Sequence, residues 1–128
     1  MKLTKIISGG QRGAERGALD AARQFGIPHG GWCPKNRLAE DGRIPDGYAL
    51  QELPTPSYLA AIKFNVMSSD ATLVFTPFGD DVIAHRAIEM AVRFNKPYLQ
   101  ILLSKVKGDN LGQYIAKWLT RRRKIKMQ

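Results

Sequence analysis

Apolar residues along the chain recur with two alternating periods. "KLTKIIS" (2–8) reads as a buried strand, and it stops at Gly9-Gly10. From Gly13 to Phe25, the residues Ala14, Ala18, Leu19, Ala22 and Phe25 recur at helical spacing, and Gly26 is a natural stop. "IPHGGWC" predicts a brief second strand, residues 34–47 a long polar loop, and "YALQELP" an extended segment. A helix is expected from Thr55 to Ser68, with Tyr58, Leu59, Ile62, Val66 and Met67 near one face. "ATLVFTPF" (71–78) predicts a central strand, and Asp80-Asp81 opens a helix reaching about Phe94, since carboxylates suit a first helical turn. "PYLQILLS" predicts another strand, "NLGQYIAKWLTRRR" a helix, and "KIKM" a last short strand.

Strands alternating with helices of this length predict an α/β fold, an open parallel sheet with helices on both faces. Such sheets bind ligands beyond the carboxyl ends of their strands. Those ends are Ser8–Gly13, Trp32–Lys35, Thr76–Gly79 and Leu103–Lys107, and all four are expected on one rim.

Length narrows the picture to one domain spanning residues 1–128, with enough chain for a core without staples. Hydrophobic content is 44% and no apolar run approaches the ~18–20 residues of a membrane helix, so no membrane partner is expected. There is no signal-peptide pattern, and Cys33 stands alone, which together fit a reducing cytosol. The formal net charge of +9 is concentrated late in the chain. After Asp109 no acidic residue follows, while Lys117, Arg121, Arg122, Arg123, Lys124 and Lys126 form a basic tail over about 117–128. That tail admits nucleic acid as a partner, but cations equally suit a solvated helix C-terminus, and no aromatic residue interleaves with the run Arg121–Lys126.

Candidate chemistry gathers at three turns. In "SGGQRG", Gly9, Gly10, Gln11 and Gly13 let backbone N–H groups approach an anion at a helix N-terminus, and Arg12 can clamp it bidentately. Neither the G-x-G-x-x-G nor the P-loop pattern is present. In "HGGWCPKNRLAEDGR", Gly31 permits close approach, Trp32 offers a stacking face, and Lys35, Arg37 and Arg43 surround Glu40 and Asp41. Cys33 lacks the partners of a zinc site, and His29 or His85 would have to serve it as a base for nucleophilic chemistry. In "FTPFGDD", Thr76 offers a hydroxyl, Phe78 a ring and Gly79 a tight bend, while Asp80-Asp81 would repel a phosphate.

The strings "IISGGQRGAERGALDAA", "GIPHGGWCPKNRLAEDGRIPDGYALQE" and "NVMSSDATLVF" resemble the molybdenum cofactor carrier proteins, a family within the Rossmann-like group that also holds the lysine decarboxylase-like phosphoribohydrolases. The resemblance covers roughly residues 6–76. It implies a Rossmann-like fold, usually oligomeric, binding a phosphorylated heterocycle, proposed to be the molybdenum cofactor, at the glycine-rich rim. Arg16 and Asp20 match the family pattern; Arg12 stands where the family has Thr, and Glu15 where it has Asp. The family's Gly-Gly-Thr string at the second rim turn is absent, as is the relatives' catalytic signature. The given sequence stops at Gln128, where the family continues into an Ala-Gly-Pro turn, so one side of the family's pocket is expected to be built otherwise.

These features together predict a cytoplasmic homo-oligomer that binds a phosphorylated, ring-containing small molecule, nucleotide-like or molybdopterin-like, without transforming it. The expected contacts are Gly9–Gly13, Arg16, Gly31, Trp32, Lys35, Arg37, Thr76, Phe78 and Gly79, with residues 34–47 closing as a lid. Two alternatives stay open: a protein that senses or sequesters a nucleotide-derived signal, and a nucleotide-processing hydrolase or transferase using Glu15, Glu40 or Asp41.

Overall fold

The computed structural model describes residues 2–76, 82–103, 108–119 and 124–127. The chain runs through β1 (Lys2–Ile7), α1 (Ala14–Gln24), β2 (His29–Gly30), β3 (Trp32–Cys33), β4 (Leu38–Ala39), β5 (Gly42–Arg43), β6 (Gln51–Glu52), α2 (Tyr58–Met67), β7 (Thr72–Thr76), α3 (Val82–Arg93), β8 (Tyr98–Leu102), α4 (Gly108–Leu119) and β9 (Lys124–Met127). It is the expected α/β, Rossmann-like arrangement.

β1 is flanked by β2 and β9, both parallel to it, with Ile6 opposite His29 on one side and Met127 on the other. β7 and β8 form a second parallel pair, Thr72 to Thr76 against Tyr98 to Leu102. Side chains alternate along β7 as a strand requires. Leu73 joins a cluster with Leu119 and Ile115 of α4 and Leu3 of β1, while Thr72, Val74 and Thr76 are buried. Leu19 of α1 packs with Cys33, Ile44 and Tyr48, and Ile62 and Val66 of α2 pack with Ala91 of α3.

Helix ends follow local chemistry. α1 closes in a Schellman motif: Gly26 N–H donates to Arg23 C=O and Ile27 N–H to Ala22 C=O at 2.8 Å. α3 closes the same way on Asn95, a left-handed residue at φ 56°, with Lys96 N–H on Ala91 C=O. α2 begins at Tyr58, three residues later than expected, because Ser57 caps it by accepting from Ala60 N–H at 3.2 Å, directly after Pro56. Its expected apolar face is also corrected. Leu59 and Met67 are exposed, whereas Ala61, Ile62, Asn65 and Val66 are buried. α2 is apolar on most sides, so periodicity had no contrast from which to choose a face.

The loop at 34–47 carries short regular structure of its own. Lys35–Arg37 form a 3-10 turn, and β4 and β5 make an antiparallel hairpin with Leu38 opposite Arg43.

The C-terminal end of α2 is held by a side chain from a distant element. Lys96 Nζ donates to the carbonyls of Val66 (3.2 Å), Met67 (2.6 Å) and Ser69 (2.5 Å), satisfying acceptors that the helix leaves open. Lys96→Met is therefore expected to lower stability by about 2 kcal/mol. Urea unfolding with an unchanged slope is the check, and an unchanged midpoint would contradict it.

Candidate functional site

A cavity of about 370 Å3 opens between the carboxyl end of β1, the first turns of α1, and helices α2 and α3. Gly9, Gln11, Arg12 and Glu15 line one side; Tyr58, Ile62 and Asn65 of α2 and Ile83, Ala84 and Ala87 of α3 line others. Four successive residues, Thr72 to Phe75, complete it. Successive strand residues point to opposite faces, so β7 presents its edge to the cavity, the edge not taken by β8. The volume suits a small-molecule site, and its position at a strand's carboxyl end suits an open α/β sheet.

The glycine turn is built around the protein's own carboxylate. Gly9 packs so closely on Glu15 that a Cβ at this position would collide with Oε1. Burial pushes the Glu15 carboxyl above its ordinary value of 4.5; the Gln11 and Gly9 backbone amides work against that rise, and Glu40 adds to it. Ser8 Oγ donates to Glu15 C=O at 2.7 Å, fastening the turn to the helix. Gly13, the residue before α1, supplies no side-chain cap to its N-terminus. Arg12 is exposed and has no hydrogen-bond or ion-pair partner among the described residues.

Other candidate residues are engaged with the fold. Gln11 pins the β4–β5 hairpin to the turn, donating to Leu38 C=O at 2.9 Å and accepting from Glu40 N–H at 3.3 Å. Arg16 forms a bidentate pair with Asp41 at 2.6 and 3.2 Å and donates to Gly10 C=O at 3.1 Å. The Arg16 hydrogen bond holds the Asp41 carboxyl below the usual range. The expectation for Arg37 is corrected. It is buried and donates to the carbonyls of Ile44 (3.0 Å), Pro45 (2.6 Å) and Tyr48 (3.0 Å), so it braces residues 34–48 from inside.

Gly31 and Trp32 also stand apart from the cavity. Gly31 has φ 140° and lies so close to Ser8 that a Cβ would collide with the Ser8 carbonyl. Trp32 packs on Phe64 at 5.6 Å between ring centroids, and its Nε1 donates to Ser68 Oγ at 3.3 Å. Both line a separate hollow of about 240 Å3 with Lys5, His29 and Gln51. Lys35 is exposed outside both hollows. Thr76 is buried, its hydroxyl has no partner among the described residues, and it does not line the cavity. Phe78, Gly79, Asp80, Asp81 and Arg121–Arg123 lie outside the described residues.

Burial raises the Cys33 thiol, which argues against a thiolate nucleophile. His29 Nε2 accepts from Ala49 N–H at 3.3 Å. No helix among the described residues is long and apolar enough to cross a membrane.

The sequence pattern does not single out Asn65, Thr72 or Ile83, and it places Tyr58 on a helix face rather than in a site. An asparagine inside the apolar run of α2 is the one signal that pointed to Asn65. The rest reach the cavity through α2, β7 and α3, which only folding brings together.

Parallel strands alternating with helices, with a hollow at the carboxyl end of β1, define a Rossmann-like domain. The chain belongs to the circularly permuted YpsA SLOG family, whose model matches residues 6–127. It is also similar to a crystal structure of a proposed molybdenum carrier protein from Syntrophus aciditrophicus, at 39% identity and a TM-score of 0.90. That match covers 98% of this chain and 80% of the other. No curated protein matches the chain.

Two expectations follow. Removing Arg37 leaves three carbonyls without their donor, so Arg37→Ala is expected to cost about 3 kcal/mol and open residues 34–48 to limited proteolysis. A variant that melts and resists protease like the parent would contradict this. For Glu15 the sign is opposite. Between its ordinary 4.5 and its raised value, the unfolded chain has released the proton that the folded chain keeps, so stability falls as pH rises through that window. Glu15→Gln lacks this slope, so its Tm is expected above the parent's at pH 7, with the gain vanishing near pH 4. A gain independent of pH would contradict it.

Proposed function

We propose that residues 1–128 act as one Rossmann-like domain that binds a phosphorylated, ring-containing small molecule, nucleotide-like or molybdopterin-like, without transforming it. One observation carries this reading: a 370 Å3 hollow with Ile62, Ile83 and Val74 in its walls meets the start of α1 beside Arg12. The apolar walls receive the ring. Arg12 and the first-turn amides of α1 receive the phosphate. The likeness to a proposed molybdenum carrier supports a molybdopterin-like ligand as cargo.

Self-association belongs to the same proposal. It rests on the resemblance to a family whose members are usually oligomeric. A reducing cytosol suits the lone, buried Cys33.

A second reading, a nucleotide hydrolase or transferase, has one observation in its favour. Glu15 lines the cavity and its carboxyl is raised by burial, as a general acid's is.

Native mass spectrometry of freshly purified protein reports subunit count and retained ligand together. Thermal melts against nucleotides and pterin phosphates are expected to show a stabilising shift. Arg12→Ala is expected to weaken that binding about tenfold, roughly 1.4 kcal/mol. Absence of any shift overturns the binding reading, a consumed compound overturns the non-catalytic one, and a monomer overturns self-association.

A further inference from the structure

The cavity carries unfilled hydrogen-bonding capacity of one particular kind, and what it implies rests on the small-molecule reading above. Glu15 lines the cavity, and no cation pairs with its carboxylate among the described residues. Two backbone amides face it, which leaves lone pairs on its two oxygens. Its neighbours cannot neutralise it. Ser8 Oγ already donates to the Glu15 carbonyl. Asn65 is engaged on both sides of Trp32, its Oδ1 accepting from Trp32 N–H at 2.7 Å and its Nδ2 donating to Trp32 C=O at 3.0 Å. Glu40, also on the cavity wall, adds like charge.

A second, independent residue belongs to the same hollow. Thr72 lines the cavity and is only 1% exposed, and its Oγ1 has no partner among the described residues. A buried polar atom left unbonded is costly unless a ligand completes it.

Phosphate is the wrong match for two carboxylates, so the anionic end of a ligand belongs at Arg12. The other end must bring donors. A carboxylate pairs best with two N–H groups side by side. Adenine sets an acceptor beside its amino group. A 2-amino-4-oxopyrimidine ring, as in guanine or a pterin, sets a ring N–H beside its amino group.

We propose that Glu15 recognises the 2-amino-4-oxopyrimidine edge of the bound heterocycle, with the Thr72 hydroxyl bonding a heteroatom of the same ring. Glu15 is then the specificity-determining residue of the site, and the glycine turn serves to hold it there.

Titration calorimetry with GMP, IMP, AMP and 6-hydroxymethyldihydropterin phosphate tests this. IMP differs from GMP only in lacking the 2-amino group. The parent protein is expected to bind an amino-bearing compound at least tenfold tighter than IMP, and the tighter of GMP and the pterin phosphate names the ligand's source. Glu15→Gln is expected to lose that tenfold preference while keeping its IMP affinity. Equal affinity for all four compounds, weakened throughout by Arg12→Ala, overturns the role of Glu15 and leaves the binding site standing. A Glu15→Gln variant that keeps the preference also overturns it. No binding by any compound overturns the site itself, and this inference with it. The comparison on the parent protein decides the question even where the variant does not fold.

Discussion

A buried side-chain amide ties the elements around the cavity into one frame. Asn65, fully enclosed on α2, bonds both the N–H and the C=O of Trp32, as a neighbouring strand would. Beside it, Gly31 lies against Ser8 with no room for a side chain. Ser8 N–H in turn donates to Gly30 C=O at 3.0 Å. The end of β1, the β2–β3 segment and α2 are therefore locked at one point. An unpaired amide there would carry the full penalty of a buried polar group, so the arrangement has little freedom to vary. The cavity sits where that lock leaves space, between α2, β7 and the turn after β1.

Around this frame the fold uses much of the basic charge that looked available for a ligand. Arg37 is enclosed by three carbonyls, and Arg16 is fixed on Asp41 and Gly10. Lys96 closes α2. Among the candidate cations of the described residues, Arg12, Lys35 and the Asp46-paired Arg43 are exposed, and of these Arg12 alone lines the cavity. Glu15 is the reverse case: a cavity-lining carboxylate with no cation paired to it among the described residues, at a cost to stability. Local rules broken without compensation within the fold mark functional sites more often than accidents. The glycine turn thus has two sides, an inward one occupied by Glu15 and an outward one open at Arg12.

The sequence by itself determined the alternation of strands and helices, the glycine turn after β1, and the stop at Gly26. These depend on neighbours a few residues apart, where spacing and backbone freedom act directly. Only the tertiary structure decided which face of α2 is buried, because a helix apolar all round carries no local preference. It also decided that Arg37 turns inward and that Trp32 faces a different hollow from Arg12. A charged or aromatic residue reads the same in sequence whether its partner is a ligand, a carbonyl or another ring. Its role depends on which atoms distant segments bring within hydrogen-bonding distance, and that distance exists only in the folded chain.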